Sequence, residues 1–263
     1  MATIWINEIE IAYEDKGSGE TTFLFVHGWA CDRSFFAPQV KHFSRFARTV
    51  AVDLRGHGES NKPFGLYSIA AFAADLASLI QSLDLGSVIA VGHSMGGLVV
   101  LEMAANYPET VEAIVMVDPA SFELSEERHV SAEQLIATIE AEDQQTRRDI
   151  IATRYFLPSS SKQLIHEITE SMMATPSHVA AGALRGILDF DAKAAAKCCH
   201  VPALHIAATN PFNPPHRMSE WLAGVVNGWT VGAGHFCQLE APDQVNAMIF
   251  AFLDHNIEAH RGA

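Results

Sequence analysis

The sequence holds no apolar run near the eighteen or so residues that a membrane-spanning helix requires, so no membrane contact is expected. Its opening, Met1-Ala2-Thr3-Ile4-Trp5-Ile6-Asn7-Glu8, has no basic stretch leading into a long apolar one, as a secretory signal would. Together these absences make a cytoplasmic protein the expectation. Basic residues are scarce, 17 Lys and Arg against 31 Asp and Glu, for a formal charge of −14. A surface of that sign repels phosphate backbones, which excludes nucleic acid as an expected partner, and it favours solubility. Cysteine is scarce too. Cys31, Cys198, Cys199 and Cys237 are scattered, and no second ligand pair stands at zinc-binding spacing from the vicinal pair beside His200. The thiols therefore read as reduced, and no metal is expected. Internal repeats and low-complexity segments are missing as well.

What is present is material for a core. Of 263 residues, 49% are hydrophobic and 18% charged, enough to bury a single α/β domain. Residues 3–8 and 10–14 alternate apolar and polar at period two across a short turn, the pattern of an antiparallel hairpin. Short apolar runs at 23–26 and 49–53 read as strands buried on both faces, 88–91, 113–117 and 203–208 as further strands, and 229–231 as a short extended piece. Between them lie helical patterns at 68–84, 95–107, 217–225 and 242–257, with Gly86 as a stop for the first. Alternation of this kind implies a mostly parallel sheet flanked by helices. Residues 122–195 break it, with helical patterns at 132–141, 146–156, 161–173 and 178–188 and no strand. That insertion reads as a helical cap, with 1–121 and 196–263 forming the core, and ligands in open α/β sheets bind at the strand ends such a cap would cover.

Gly92-His93-Ser94-Met95-Gly96 follows a strand and opens a helix, the context that G-x-S-x-G requires. The turn is too sharp for side chains beside it, and it lifts the Ser94 hydroxyl clear of the sheet. A serine hydroxyl is a weak nucleophile until a base takes its proton, and of thirteen histidines only His235 stands after the last short strand and before the closing helix. His27, His57 and His93 lie inside motifs where organising a loop is the expected role. His129, His166 and His178 fall in the cap, and His205 within a strand.

Here the chain resembles the α/β-hydrolase superfamily from end to end. His27-Gly28-Trp29 is similar to that family's oxyanion loop, Asp53-Leu54-Arg55-Gly56-His57-Gly58-Glu59-Ser60 to its Asp-x-Arg-Gly-x-Gly-x-Ser segment, Gly92 to Gly97 to its nucleophile elbow, and Gly234-His235 to its catalytic histidine. The resemblance implies an eight-stranded sheet, Ser94 as nucleophile, His235 as base, and the backbone N–H groups of Trp29 and Met95 as the oxyanion hole. It implies no organic cofactor. The family's acid normally follows the strand at 203–208. Here Ala208-Thr209-Asn210-Pro211-Phe212-Asn213-Pro214 puts Asn210 in that position, and residues 201–216 contain no Asp or Glu. Asparagine does not stabilise imidazolium by charge. Asp118, ending the preceding strand, is the expected replacement, ahead of Asp189 and Asp191.

The expected activity is cleavage of a small to medium apolar ester or lactone, a small-molecule substrate, through an acyl-enzyme on Ser94. Trp29, Phe122, Phe156, Met172, Met173 and Phe236 are the candidate pocket residues, and Leu157 joins them from the cap. Two other readings stand beside it. Cofactor-free dioxygenases of this fold, which cleave 3-hydroxy-4-quinolones, share the relocated acid and use a His/Asp pair such as His235/Asp118 to deprotonate substrate. A ligand receptor on the same fold would use the pocket without chemistry.

Overall fold

The computed structural model describes residues 1–258. Its sheet has eight strands, β1 (Ala2–Ile6), β2 (Ile9–Lys16), β3 (Thr22–Val26), β4 (Arg48–Val52), β5 (Val88–His93), β6 (Val111–Val117), β7 (Ala203–Ala207) and β8 (Val226–Trp229), in the order β1-β2-β4-β3-β5-β6-β7-β8. From β4 to β8 every pairing is parallel, and β1 and β2 join antiparallel at one edge. The β1–β2 turn, Asn7-Glu8, has φ of 48° and 66°, and positive φ at both central residues matches the right-handed twist of a hairpin.

Alternation along each central strand builds two cores. On β3, Phe23 and Phe25 face one side and Leu24 and Val26 the other; Ile89 and Val91 oppose Val88 and Ala90 on β5. Because both faces are covered, such strands read as continuous apolar runs. Helices α2 (Ile69–Ser82), α3 (Met95–Asn106) and α8 (Ala192–Cys198) pack together on one face, and α1 (Ala37–Phe43) meets α10 (Pro242–Leu253) on the other.

Four helices lie between β6 and α8: α4 (Glu126–Glu140), α5 (Gln144–Arg154), α6 (Lys162–Met173) and α7 (Ser177–Leu188). Three of them start on a capping residue, Ser125, Asp143 and Ser161, whose side chains accept from the backbone N–H of Arg128, Thr146 and Leu164. The expected segment boundary at 195 cuts α8, which packs on α3 and belongs with the core layer.

Four local boundaries need correction. The helix expected over 217–225 is α9 (Pro215–Trp221); the chain turns extended at Leu222 (φ −121°, ψ 106°), ahead of the turn at Gly224 (φ 73°). The extended piece expected at 229–231 is β8, which starts at Val226 opposite Leu204. The first long helix also stops at Ser82, where Leu83 and Leu85 donate back to Leu79 O and Ile80 O before Gly86 is reached. The closing helix runs to Leu253 and ends in a π-helical turn, Asp254–Glu258.

Candidate active site

Ser94 sits between β5 and α3 at φ 53°, ψ −115°, a conformation that a non-glycine residue adopts only when its surroundings impose it. Three contacts impose it: Ser94 N donates to Val117 O at 3.1 Å, while Ser94 O accepts from Gly97 N at 2.9 Å and Ala120 N at 3.0 Å. The flanking glycines leave room for this turn. A Cβ on Gly92 would collide with Gly96 O, and one on Gly96 with Val26 O.

Asp118 ends β6 at φ 37°, buried, its N–H donating to Ile206 O at 2.8 Å. Its Oδ2 accepts from His235 Nδ1 at 2.6 Å and its Oδ1 from Ala208 N at 3.3 Å. The carboxylate thus crosses the end of β7, where Ala207 and Ala208 offer no bulk to stop it. Asn210 is exposed, as is Asp189, and Asp191 caps α8 through Ala194 N. Of Asp118, Asp189, Asp191 and Asn210, only Asp118 bonds the imidazole.

The loop after Asp118 is pinned by a residue the sequence did not single out. Asn213, fully inside the protein, donates to Pro119 O at 2.8 Å and Ala120 O at 3.0 Å and accepts from Phe122 N at 2.8 Å. Its signal was present in the polar, proline-flanked stretch 208–214, but that stretch invited attention only for its missing carboxylate.

His235 is held from both sides. Its N–H donates to Tyr155 O at 3.1 Å, and its carbonyl accepts from His93 Nε2 at 2.9 Å. Burial pushes the His93 pKa well below the usual histidine value, with the neighbouring His235 acting in the same direction, so His93 is a neutral donor. His27 bridges two loops in the same way, donating from Nδ1 to Gly28 O at 2.8 Å and accepting at Nε2 from Leu54 N at 3.0 Å. His57 donates to Arg55 O, and burial takes its pKa down to about 3. His205 bonds Asn227 Oδ1 at 2.9 Å within the sheet.

Ser94 and His235 line one cavity, together with Trp29, Met172, Phe236 and Tyr155. Both are nearly closed off, at 9% and 7% exposure, so a reactant must enter the cavity to meet them. Rings surround the imidazole: Phe212 at 4.8 Å, Tyr155 at 5.2 Å in a stacked arrangement, and Phe236 at 5.3 Å. Tyr155 and Phe212 were missed. Tyr155 follows Ile151 at helical spacing and so shares its inward face, a signal that the more apolar neighbour Phe156 obscured.

Three expected pocket residues do not line this cavity. Phe122 stacks on Trp221 at 5.7 Å, Phe156 stacks on Phe236 at 5.4 Å, and half-buried Met173 packs against the core. On a helix, adjacent residues face different ways, so Met172 enters the cavity and Met173 does not. Leu157 is absent from the lining too; its N–H is bonded to Ser160 Oγ.

The helices of the insertion are tied to the core at this cavity. Trp29 Nε1 donates to Ala180 O on α7 at 2.7 Å, Thr175 Oγ1 to Ala30 O at 3.1 Å, and Ser171 Oγ to Asp32 Oδ2 at 2.9 Å. Met95 opens α3 directly after Ser94 and is buried. No group of three or more metal-ligating side chains occurs among the described residues, and no helix among them is long and apolar enough to cross a membrane.

A family model described as alpha/beta hydrolase fold matches residues 21–242, and the chain belongs to that family. A 2-(acetamidomethylene)succinate hydrolase of Mesorhizobium japonicum is 40% identical over 113 residues, 43% of this chain and 40% of that protein. An AB hydrolase superfamily protein of Bacillus subtilis is 24% identical over 93% of this chain and 95% of its own length. The chain spans well under half the length of the Mesorhizobium protein and of several other curated relatives it matches, and nearly all of the Bacillus one. Among solved structures, a thermophilic esterase from Thermogutta terrifontis superposes with a TM-score of 0.85 at 25% identity, covering 94% of this chain and 93% of that one. The enol-lactonase of Burkholderia xenovorans LB400 gives 0.87 at 23% identity over 97% and 100%, a likeness of fold.

Proposed function

We propose that this hydrolase cleaves a small to medium ester or lactone by two-step acyl transfer on Ser94. The observation that carries the reading is the joint one: a strained elbow serine and a histidine bonded to a buried carboxylate at 2.6 Å open into the same cavity. Ser94 Oγ attacks the carbonyl carbon as its proton passes to His235 Nε2. The former carbonyl oxygen becomes an oxyanion, for which the N–H groups of Trp29 and Met95 are the donors in this reading, each such donor contributing about 3 kcal/mol elsewhere. His235 then protonates the leaving alkoxide, and water repeats the sequence to release the acid. Asp118 keeps the proton on Nδ1 and stabilises the imidazolium formed in between. The aliphatic and aromatic lining suits the apolar body of such a substrate.

The test is covalent. A serine-directed organophosphonate is expected to add once to the wild type by intact mass and not to Ser94→Ala, and short p-nitrophenyl esters are expected to be hydrolysed under anaerobic conditions. Activity on a 3-hydroxy-4-quinolone that consumes oxygen and survives Ser94→Ala would overturn acyl transfer in favour of substrate deprotonation by His235 and Asp118.

A further inference from the structure

Most arginines of this acidic chain are answered by carboxylates. Arg33 meets Asp53 and Glu59, Arg48 meets Asp15, Arg55 meets Asp75, Arg148 meets Glu170, Arg185 meets Glu140, and Arg217 meets Glu123 and Glu220. Buried Arg147 is occupied otherwise, donating to Met172 O and Thr175 O at 3.1 Å each. Exposed Arg45 has no carboxylate partner among the described residues either but does not line the cavity; Arg128 and Arg154 are different. Neither pairs with a carboxylate among the described residues, and both line the cavity that holds Ser94 and His235.

Their placement relative to the imidazole is alike although they come from different helices. The Arg128 guanidinium lies 5.5 Å from the Phe212 ring centroid, and that ring is 4.8 Å from the His235 ring. The Arg154 guanidinium lies 6.0 Å from the Tyr155 ring, which stacks on His235 at 5.2 Å. Each cation is thus one aromatic ring away from the base. Arg128 is further fixed by donation from Nη1 to Ser121 Oγ at 3.1 Å and Phe212 O at 3.3 Å. A guanidinium carries five donors in a planar fork that matches a carboxylate, and seating it on a ring limits the rotamer entropy lost on binding. On a molecule whose net charge repels anions, two unanswered arginines at one otherwise apolar cavity make a local site for negative charge.

We propose that Arg128 and Arg154 form a carboxylate-binding end of the cavity, so that the substrate is an ester, lactone or amide bearing a free carboxylate a few bonds from the carbonyl that Ser94 attacks. The claim deepens the acyl-transfer reading and rests on it for the bond cleaved. It is tested with the mono-p-nitrophenyl ester of glutaric acid and its neutral counterpart, in which the second carboxyl is a methyl ester. The wild type is expected to show a kcat/KM at least about tenfold higher for the half-ester, mostly through KM. In Arg128→Gln/Arg154→Gln that preference should fall by about ten- to a hundredfold, the scale of a lost charge-assisted hydrogen bond.

A second measurement does not depend on turnover. Calorimetric titration with glutarate is expected to show binding to the wild type that is lost in the double variant and partly kept in Arg128→Lys/Arg154→Lys. Esters cleaved without preference for the half-ester, or with a preference the glutamine variants retain, would overturn the carboxylate site while leaving acyl transfer standing. Arginine-dependent glutarate binding with no ester cleavage and no Ser94 adduct would uphold the site and overturn acyl transfer. No arginine-dependent glutarate binding together with no cleavage would overturn both.

Discussion

Replacing Asp118 by Asn tests how the relocated acid works, because the surroundings of this carboxylate dictate what an amide would do there. Asp118 presents one oxygen to His235 Nδ1–H at 2.6 Å and the other to Ala208 N–H at 3.3 Å, and both partners are donors. An asparagine amide has one acceptor and one donor group, so it must fail one partner. If its oxygen stays on the imidazole, its NH2 faces Ala208 N–H, donor against donor, inside the protein. If it turns, Ala208 is satisfied and the NH2 faces Nδ1. That orientation selects the tautomer with hydrogen on Nε2, which is unable to accept the Ser94 proton. Either state removes the negative charge that offsets the imidazolium. The comparable loss in a serine protease costs about 10⁴ in kcat, equivalent to about 5.5 kcal/mol of barrier. We expect kcat on a p-nitrophenyl ester to fall by about 10³ to 10⁴ in Asp118→Asn, with KM changed far less. The backbone should tolerate the change, since φ is 37° at Asp118 and asparagine is among the residues most at ease there. Thermal unfolding of the same sample checks this. Exposed Asn210→Ala is the control and should stay within about twofold, as surface changes usually do. A folded Asp118→Asn retaining more than about a tenth of wild-type kcat would refute the assignment.

Asn213→Ala should be costly at a distance from the reacting atoms. It strands two carbonyls and one N–H that Asn213 now satisfies inside the protein, so we expect a loss of about 2–4 kcal/mol in chemical denaturation and a lower kcat as the loop carrying Asp118 loosens. Stability should also fall with acid from about pH 6.5. Burial depresses the pKa values of His27, His57, His93 and His205, so the unfolded chain binds protons that the folded one refuses. Their contribution is complete above the unfolded value and is lost as pH falls toward the folded ones, about 3 for His57. Each titrating histidine should add about 1.4 kcal/mol per pH unit to the slope in that window, measurable by urea titration from pH 7 to 4.

Much of this molecule is written in local patterns. Hydrophobic period and turn chemistry marked the central strands and most helices, since a strand covered on both faces has little choice but to be apolar throughout. The elbow was legible for the same reason: a serine at φ 53° needs glycine on both sides, and that need is visible as Gly92 and Gly96. A missing carboxylate after β7 was equally plain, and it directed attention to Asp118. What sequence had no means to decide was contact between segments far apart in the chain. Whether Asp118 reaches an imidazole 117 residues away depends on β7 lying between β6 and β8 and ending in alanines small enough to reach across. Which of two adjacent side chains enters the cavity depends on the rotation of a helix, so Met172 and Tyr155 line it while Met173 and Phe156 do not. Asn213 and the two cavity arginines acquire meaning only from their neighbours. Composition and period act within a few residues, whereas a site is made by the packing of elements, and only the folded chain brings Arg128 and Arg154 within one ring of His235.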